Sequence, residues 1–264
     1  MSLSNRVANN LPYLRRYARA LTGAQDSGDA IVRATLESAL VDQELKTMLD
    51  SGRTGLYRAF TSVWVNAYAA NVPSGSAGSI HEKGARSRLH AITPTNRQAL
   101  LLTTLEGFDI DHTAQILNIS PAEAKELVRE ALAEIDTETA TDVLIIEDEP
   151  LISMQLENLV TNLGHELCGT AATRTQARNV AAETMPGLVL ADIQLADGSS
   201  GLDAVDDILA SSSVPVIFIT AYPERLLTGD RPEPTFLITK PFDEQTVRAA
   251  ISQALFFNCS QPIG

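Results

Sequence analysis

Leu11, Leu14, Tyr17, Ala18 and Leu21 recur at spacings of three and four, and Ile31, Ala34, Thr35, Ser38 and Val41 repeat the pattern. This period predicts amphipathic helices over residues 8–70. Thr22-Gly23 supplies a stop, and the acidic stretch from Asp26 to Asp29 supplies the next start. The helical pattern resumes at Leu89 and runs to Ile135, with three successive helices over residues 96–135. The last of them has explicit end signals. Ser120 stands at the N-cap, Pro121 at the first helical position and Glu123 three residues past the cap. Ala124, Leu127, Val128, Ala131 and Ile135 then form one apolar stripe. With Ile110–Leu117 and the joint Asn118-Ile119-Ser120, this reads as a helix-turn-helix.

After the polar connector from Asp136 to Thr141 the period changes. Short runs rich in β-branched residues, Val143–Ile146, Leu188–Ala191, Val216–Thr220 and Phe236–Ile238, alternate with helical stretches. His165–Gly169 is the weakest of the five expected strands. Continuous apolar runs of this length predict a parallel sheet covered on both faces. The expected fold class is therefore α plus α/β: an all-helical N-terminal region and a C-terminal doubly wound (βα)5 domain with a five-stranded parallel sheet. Residues 71–88, rich in Gly and Ser, have the composition of a flexible linker. The expected division is helices over 1–70, linker 71–88, helix-turn-helix 89–135, connector 136–141 and α/β domain 142–264.

Charge supports that division. Of the 20 basic and 33 acidic residues, 14 and 15 lie in residues 1–137, which leaves 6 and 18 for residues 138–264. Halves that differ this much read as separate domains. The acidic half would repel a phosphate backbone, which disfavours general nucleic-acid affinity. The longest apolar runs fall far short of the roughly 20 residues of a membrane span. The first residues have no apolar segment of signal-peptide type, and two cysteines, Cys168 and Cys259, cannot build a disulfide framework. A cytoplasmic location is expected.

In a doubly wound domain, function is expected at the carboxyl ends of the strands. The first strand ends in Glu147-Asp148-Glu149, the third in Asp192, the fourth in Thr220 and the fifth in Lys240-Pro241. Gathered carboxylates need a cation, and an all-oxygen set selects a hard one such as Mg²⁺. A lysine and a hydroxyl beside them suit an anion such as a phosphoryl group. Each residue alone has a plainer reading. The acids could favour a helix N-terminus, Asp192 could cap a loop, and Thr220 could simply end a strand. Their joint occurrence at four strand ends favours the site.

Residues 142–257 resemble the receiver domain of two-component response regulators. The resemblance implies that Asp192 is the phosphoacceptor. It also implies that Glu147, Asp148 and Asp192 hold Mg²⁺ with the backbone carbonyl of Gln194. Thr220 and Lys240 would bind phosphoryl oxygens, and Lys240–Pro241 would be a cis peptide. Such a domain is no enzyme beyond its own phosphotransfer and dephosphorylation. One departure stands out: many receivers carry an aromatic residue three positions before the lysine, where this chain has Leu237. Tyr222 is a candidate substitute, with a half-buried packing role as the equal alternative.

The run Gln98-Ala99-Leu100-Leu101-Leu102, Glu106-Gly107-Phe108, Ala114-Gln115-Ile116-Leu117, Ser120 and Val128 resembles region 4 of extracytoplasmic-function sigma factors. Leu11-Pro12-Tyr13-Leu14-Arg15-Arg16-Tyr17-Ala18, Leu21-Thr22-Gly23 and Asp29-Ala30-Ile31-Val32 resemble their region 2. The outward face of the last helix departs from a DNA reader, offering Glu123, Lys125, Glu126, Arg129, Glu130 and Glu134. Two basic and four acidic residues make a poor phosphate-contacting face. No DNA-binding residue is assigned.

A sigma-like region followed by a receiver resembles the PhyR-type regulators of the alphaproteobacterial general stress response. The resemblance implies partner switching. A sensor histidine kinase would phosphorylate Asp192, and the phosphorylated regulator would sequester an anti-sigma factor of NepR type, releasing a sigma factor. The alternatives are a phosphorylation-regulated sigma or transcription factor that binds DNA through residues 120–135, and a hydrolase built on the carboxylate–Mg²⁺ site.

Overall fold

The computed structural model describes residues 3–69, 94–135, 139–195, 198–221, 223 and 234–259. The chain divides into two compact units, Met1–Leu132 and Ala133–Gly264. The expected linker 71–88 and Tyr222 lie outside the described residues.

The first unit is helical: α1 (Leu3–Thr22), α2 (Gln25–Val41), α3 (Gln43–Asp50), α4 (Gly52–Ala69), α5 (Thr95–Thr104), α6 (Ile110–Leu117) and α7 (Pro121–Ile135), with the last turn of α7 crossing the boundary between units. The breaks have local causes. Gly23 and Gly52 take positive φ, +69° and +86°, which glycine adopts without a Cβ penalty. Asp42 starts α3 by accepting the backbone N–H groups of Glu44 and Leu45 at 2.8 and 3.3 Å. Leu14, Tyr17, Leu21, Leu56, Tyr57, Phe60 and Trp64 are all but fully buried. A Cβ at Gly28 would lie 2.7 Å from the backbone nitrogen of Arg19, so this glycine lets α2 pack directly on the backbone of α1. One residue later, Asp29 takes the guanidinium groups of both Arg15 and Arg19 (2.9 and 2.8 Å).

The second unit contains β1 (Asp142–Ile146), α8 (Pro150–Asn162), β2 (Glu166–Ala171), α9 (Arg174–Thr184), β3 (Leu188–Asp192), α10 (Gly201–Leu209), β4 (Val216–Thr220), β5 (Phe236–Thr239) and α11 (Glu244–Cys259). All four strand pairings are parallel, in the order β2-β1-β3-β4-β5. The second strand starts and ends later than its hydrophobic pattern predicts. It is an edge strand, only Ala171 is fully buried, and its register with β1 shifts between Val143 and Leu144. The other strands carry the core, with Leu144, Ile146, Val189 and Ala191 packed against Ala177, Ala204, Val205 and Ile208. Pairings of Ile146 with Ala191, Asp192 with Ile219 and Thr220 with Thr239 align the carboxyl ends of four strands. Among the described residues, no helix is long and apolar enough to cross a membrane.

Candidate functional site: an acidic cleft at the strand ends

Glu147 follows the last residue of β1, and its backbone N–H continues the sheet pairing to the carbonyl of Ala171 at 2.9 Å. Its side chain is buried. One oxygen, Oε1, accepts the N–H of Glu149 at 3.2 Å, and the other, Oε2, accepts Lys240 Nζ at 2.8 Å. Asp148 is partly exposed and Glu149 is exposed.

Asp192 closes β3 and is held at both oxygens. Its Oδ1 accepts the N–H groups of Ile193 and Gln194 (2.5 and 3.3 Å), and its Oδ2 accepts Lys240 Nζ at 2.7 Å. The following loop folds back on itself through the Gln194–Ser200 bridge and the N–H of Gly201, which donates to Ile193 O at 2.9 Å. A Cβ at Gly201 would fall 1.7 Å from the Asp192 carbonyl oxygen. Glycine is required there for close approach, a role that sequence reading did not single out.

Thr220 is buried at the end of β4, and its carbonyl accepts the Lys240 N–H at 2.7 Å. The Lys240–Pro241 peptide bond is cis. Asp148, Asp192, Gln194, Thr220 and Lys240 line one open cleft of about 410 Å³. Leu237 lies away from it in the core, 1% exposed.

The electrostatics follow from burial and crowding. Burial raises the Glu147 carboxyl above its usual range, against the lowering effect of its Lys240 bond, and the Asp192 charge raises it further. Burial alone would lower the Lys240 ammonium. Its bonds to Asp192 and Glu147 outweigh that, and its pKa is raised. Glu147, Asp148 and Asp192 each bring an oxygen within 4.8 Å of the others. An all-carboxylate donor set of this spacing fits a hard divalent cation.

In the first unit the helix-turn-helix forms as its end signals imply. Asp109 caps α6 through the His112 N–H at 2.8 Å, and Asn118 terminates it in the left-handed region. Ser120 Oγ accepts the Glu123 N–H at 3.2 Å. Glu123, Lys125, Glu126, Arg129, Glu130 and Glu134 are all exposed. Arg129 is engaged by Glu126.

Three family models match: the Sigma2 domain of PhyR over residues 7–61, the sigma-like domain of the response regulator PhyR over 89–138, and the response regulator receiver domain over 143–252. The chain is 54% identical over 261 residues to the phyllosphere-induced regulator PhyR of Methylorubrum extorquens, covering 98% of this chain and 97% of that protein. The chain belongs to the PhyR family of response regulators. The crystal structure of PhyR from Brucella abortus matches it with a TM-score of 0.82 and 48% identity, over 98% of this chain and 96% of that one. The anti-anti-sigma factor PhyR of Bartonella quintana matches with a TM-score of 0.83 and 47% identity, over 97% of each chain. The PhyR family thus accounts for both the helical unit and the acidic cleft.

Proposed function

We propose that the chain is a phosphorylation-controlled sigma mimic: phosphorylated on Asp192, it sequesters an anti-sigma factor of NepR type and so frees a sigma factor for stress-response transcription. The observation that carries this reading is the convergence of Asp192, Glu147, Asp148 and Lys240 at one end of the sheet, in a chain whose relative from Bartonella quintana is an anti-anti-sigma factor.

Asp192 is held at both oxygens, which orients it as a nucleophile. A carboxylate oxygen forms the new bond to phosphorus as the bond to the kinase imidazole breaks, and the proton needed by the leaving nitrogen comes with the donor or from solvent. Magnesium held by Glu147, Asp148, Asp192 and the Gln194 carbonyl would supply positive charge for the phosphoryl oxygens. Lys240 and Thr220 supply donors for the same oxygens. To meet a phosphoryl group, the ammonium has to give up contact with a carboxylate, which makes Lys240 the residue that reports the new charge. The only chemistry assigned to the domain is its own phosphorylation and dephosphorylation. A cytoplasmic location follows from this reading, since a sensor histidine kinase and an anti-sigma factor would meet the protein there.

Direct DNA binding through residues 120–135 is disfavoured by the net acidic face of α7. The test is a sizing column run with acetyl-phosphate-treated and untreated protein, mixed with a NepR-type anti-sigma factor or with promoter DNA. Co-elution with the anti-sigma factor in the treated sample alone is expected. Co-elution with DNA, and none with the anti-sigma factor in either state, would overturn the proposal.

A further inference from the structure

Glu106 lies in the short turn between α5 and α6, and its carboxylate is 0% exposed. Arg16 of α1 grips Oε1 with Nε and Nη2 at 3.1 and 2.9 Å. Arg53 of α4 reaches Oε2 at 3.0 Å, and Tyr57 of α4 donates its hydroxyl to the same oxygen at 2.6 Å. The two arginines also take the turn by its backbone: Arg16 donates to the Leu105 carbonyl at 2.9 Å and Arg53 to the Glu106 carbonyl at 2.7 Å.

The neighbouring residues complete the attachment. Gly107 adopts φ +65°, which lets the chain turn directly after the carboxylate. Phe108 then meets the Tyr57 ring edge-on at 4.9 Å, and the Arg53 guanidinium lies 4.3 Å from the Phe108 ring centre. The Tyr57 phenol is held well above its usual pKa by burial and by the Glu106 charge, so it remains a donor. The ties connect residues 90, 53 and 49 positions apart. They therefore run from the segment matched by the Sigma2 model to the segment matched by the sigma-like model.

We propose that Glu106 is an electrostatic latch that fastens the α5–α6 turn to α1 and α4, so that the two sigma-like segments behave as one body. Removing one member of a buried ion pair leaves the other uncompensated, so the latch yields locally when it is broken. This fixes the relative placement of the two sigma-like segments before any partner arrives. The latch rests on the geometry of Glu106 and stands or falls independently of phosphorylation and of the partner's identity.

The test is hydrogen exchange by mass spectrometry on the full chain, comparing wild type, Glu106→Gln, Arg53→Met and Tyr57→Phe. Glu106→Gln preserves volume and removes the charge. Amides of residues 101–108 and of α6 are expected to exchange at least ~10-fold faster, with those of α1–α2 around Asp29 and of the β-sheet unchanged. Arg53 is 35% exposed in its side chain. Its replacement therefore leaves the fold in place, and should accelerate the same amides by a smaller factor. Tyr57→Phe should do less than either. Unchanged exchange at 101–108 in both charge variants would overturn the latch. So would an even acceleration across the whole helical unit, or an effect of Tyr57→Phe as large as that of Glu106→Gln, since each would mark a general packing loss.

Discussion

The Lys240 ammonium sits 2.7 Å from Asp192 Oδ2 and 2.8 Å from Glu147 Oε2, so one cation bridges the carboxylates at the ends of β3 and β1. With Asp148 and Glu149 beside them, four carboxylates face one ammonium at this end of the sheet. The imbalance leaves room for further positive charge, and Asp192 takes three donors, the N–H groups of Ile193 and Gln194 and the Lys240 ammonium. Asp192→Ala should take up no phosphoryl group from acetyl phosphate, and wild type should take up none once EDTA is present. Intact-mass measurement checks both. Phosphate on the Asp192→Ala chain would move the acceptor elsewhere.

Metal affinity should separate two adjacent acids. Asp148 contributes an oxygen to the three-carboxylate cluster, while Glu149 is exposed and only 3.9 Å from Lys240 Nζ. Asp148→Asn is expected to weaken Mg²⁺ binding by roughly ten-fold or more, because ligand charge sets affinity at hard-cation sites. Glu149→Gln should change it far less. Calorimetric titration of both variants decides the point, and equal losses would mean that Asp148 is not a ligand.

Lys240→Ala carries a pH signature. The raised Lys240 pKa means that its contribution to stability is fully present below about 10.4, the unfolded value, and fades as pH rises through the higher folded one. Glu147, also raised, has the opposite sense: its ionisation opposes folding, a cost absent below about 4.3 and complete once pH exceeds the folded value. Removing the ammonium should therefore cost about 2–3 kcal/mol near pH 7. That cost should shrink below about pH 4 as the carboxylates protonate, and the alkaline loss expected of wild type should vanish. Urea unfolding across pH reads all three trends. The same variant is expected to accept phosphate yet gain little affinity for the anti-sigma factor.

Much of this site was open to sequence reading because a doubly wound sheet delivers its strand ends to one edge. Short apolar runs locate the strands, and the polar residues at or just past each carboxyl end are then the candidate ligands. Asp192 and Thr220 are the last residues of β3 and β4, and Glu147 and Lys240 directly follow β1 and β5. The capping residue Ser120 was readable for a similar reason, since its contact lies within three residues. What a period cannot encode is a partner dozens of residues away. The Glu106–Arg16 bond spans 90 positions, and in sequence Glu106 is one more acid in a turn. Gly201 was missed likewise, because its constraint comes from the Asp192 carbonyl across the loop. The edge strand β2 was misplaced because its half-exposed face dilutes the apolar run.

Asp29 should be a stability determinant of the helical unit. Burial would raise its carboxyl, but hydrogen bonds from Arg15 and Arg19 win and its pKa is lowered. A lowered carboxylate stabilises the fold above its unfolded value of about 3.9, and that contribution is lost as pH falls through the folded value. Asp29→Asn removes the carboxylate that faces the fully buried Arg19. The expected loss is about 2 kcal/mol at pH 7, less than for a completely buried pair. The difference from wild type should begin to shrink as pH falls below about 3.9 and close once pH passes the lower folded value. A cost that persists undiminished at pH 3 would point to shape and not charge.

The face of α7 bears on what separates a sigma mimic from a sigma factor. Its exposed residues are Glu123, Lys125, Glu126, Arg129, Glu130 and Glu134, and Arg129 is already paired with Glu126. Such a face releases no counter-ions from a duplex, so wild type is expected to bind DNA without a measurable salt-dependent component. Reversing three of the acids, Glu123→Lys, Glu126→Lys and Glu130→Lys, changes the face from net acidic to net basic and frees Arg129. If the helix-turn-helix retains the shape of a DNA reader and lacks only the charge, non-specific affinity should then appear. Its logarithm should fall with the logarithm of salt concentration at a slope of about −0.9 for each phosphate contacted. Fluorescence anisotropy with a labelled duplex between 50 and 200 mM salt, about the range over which phosphate contacts lose most of their affinity, measures the slope. Salt-dependent binding by the wild-type chain would restore the transcription-factor reading. Failure of the reversed variant to bind, with its helices intact by circular dichroism, would mean that the shape of the reader has been lost along with its charge.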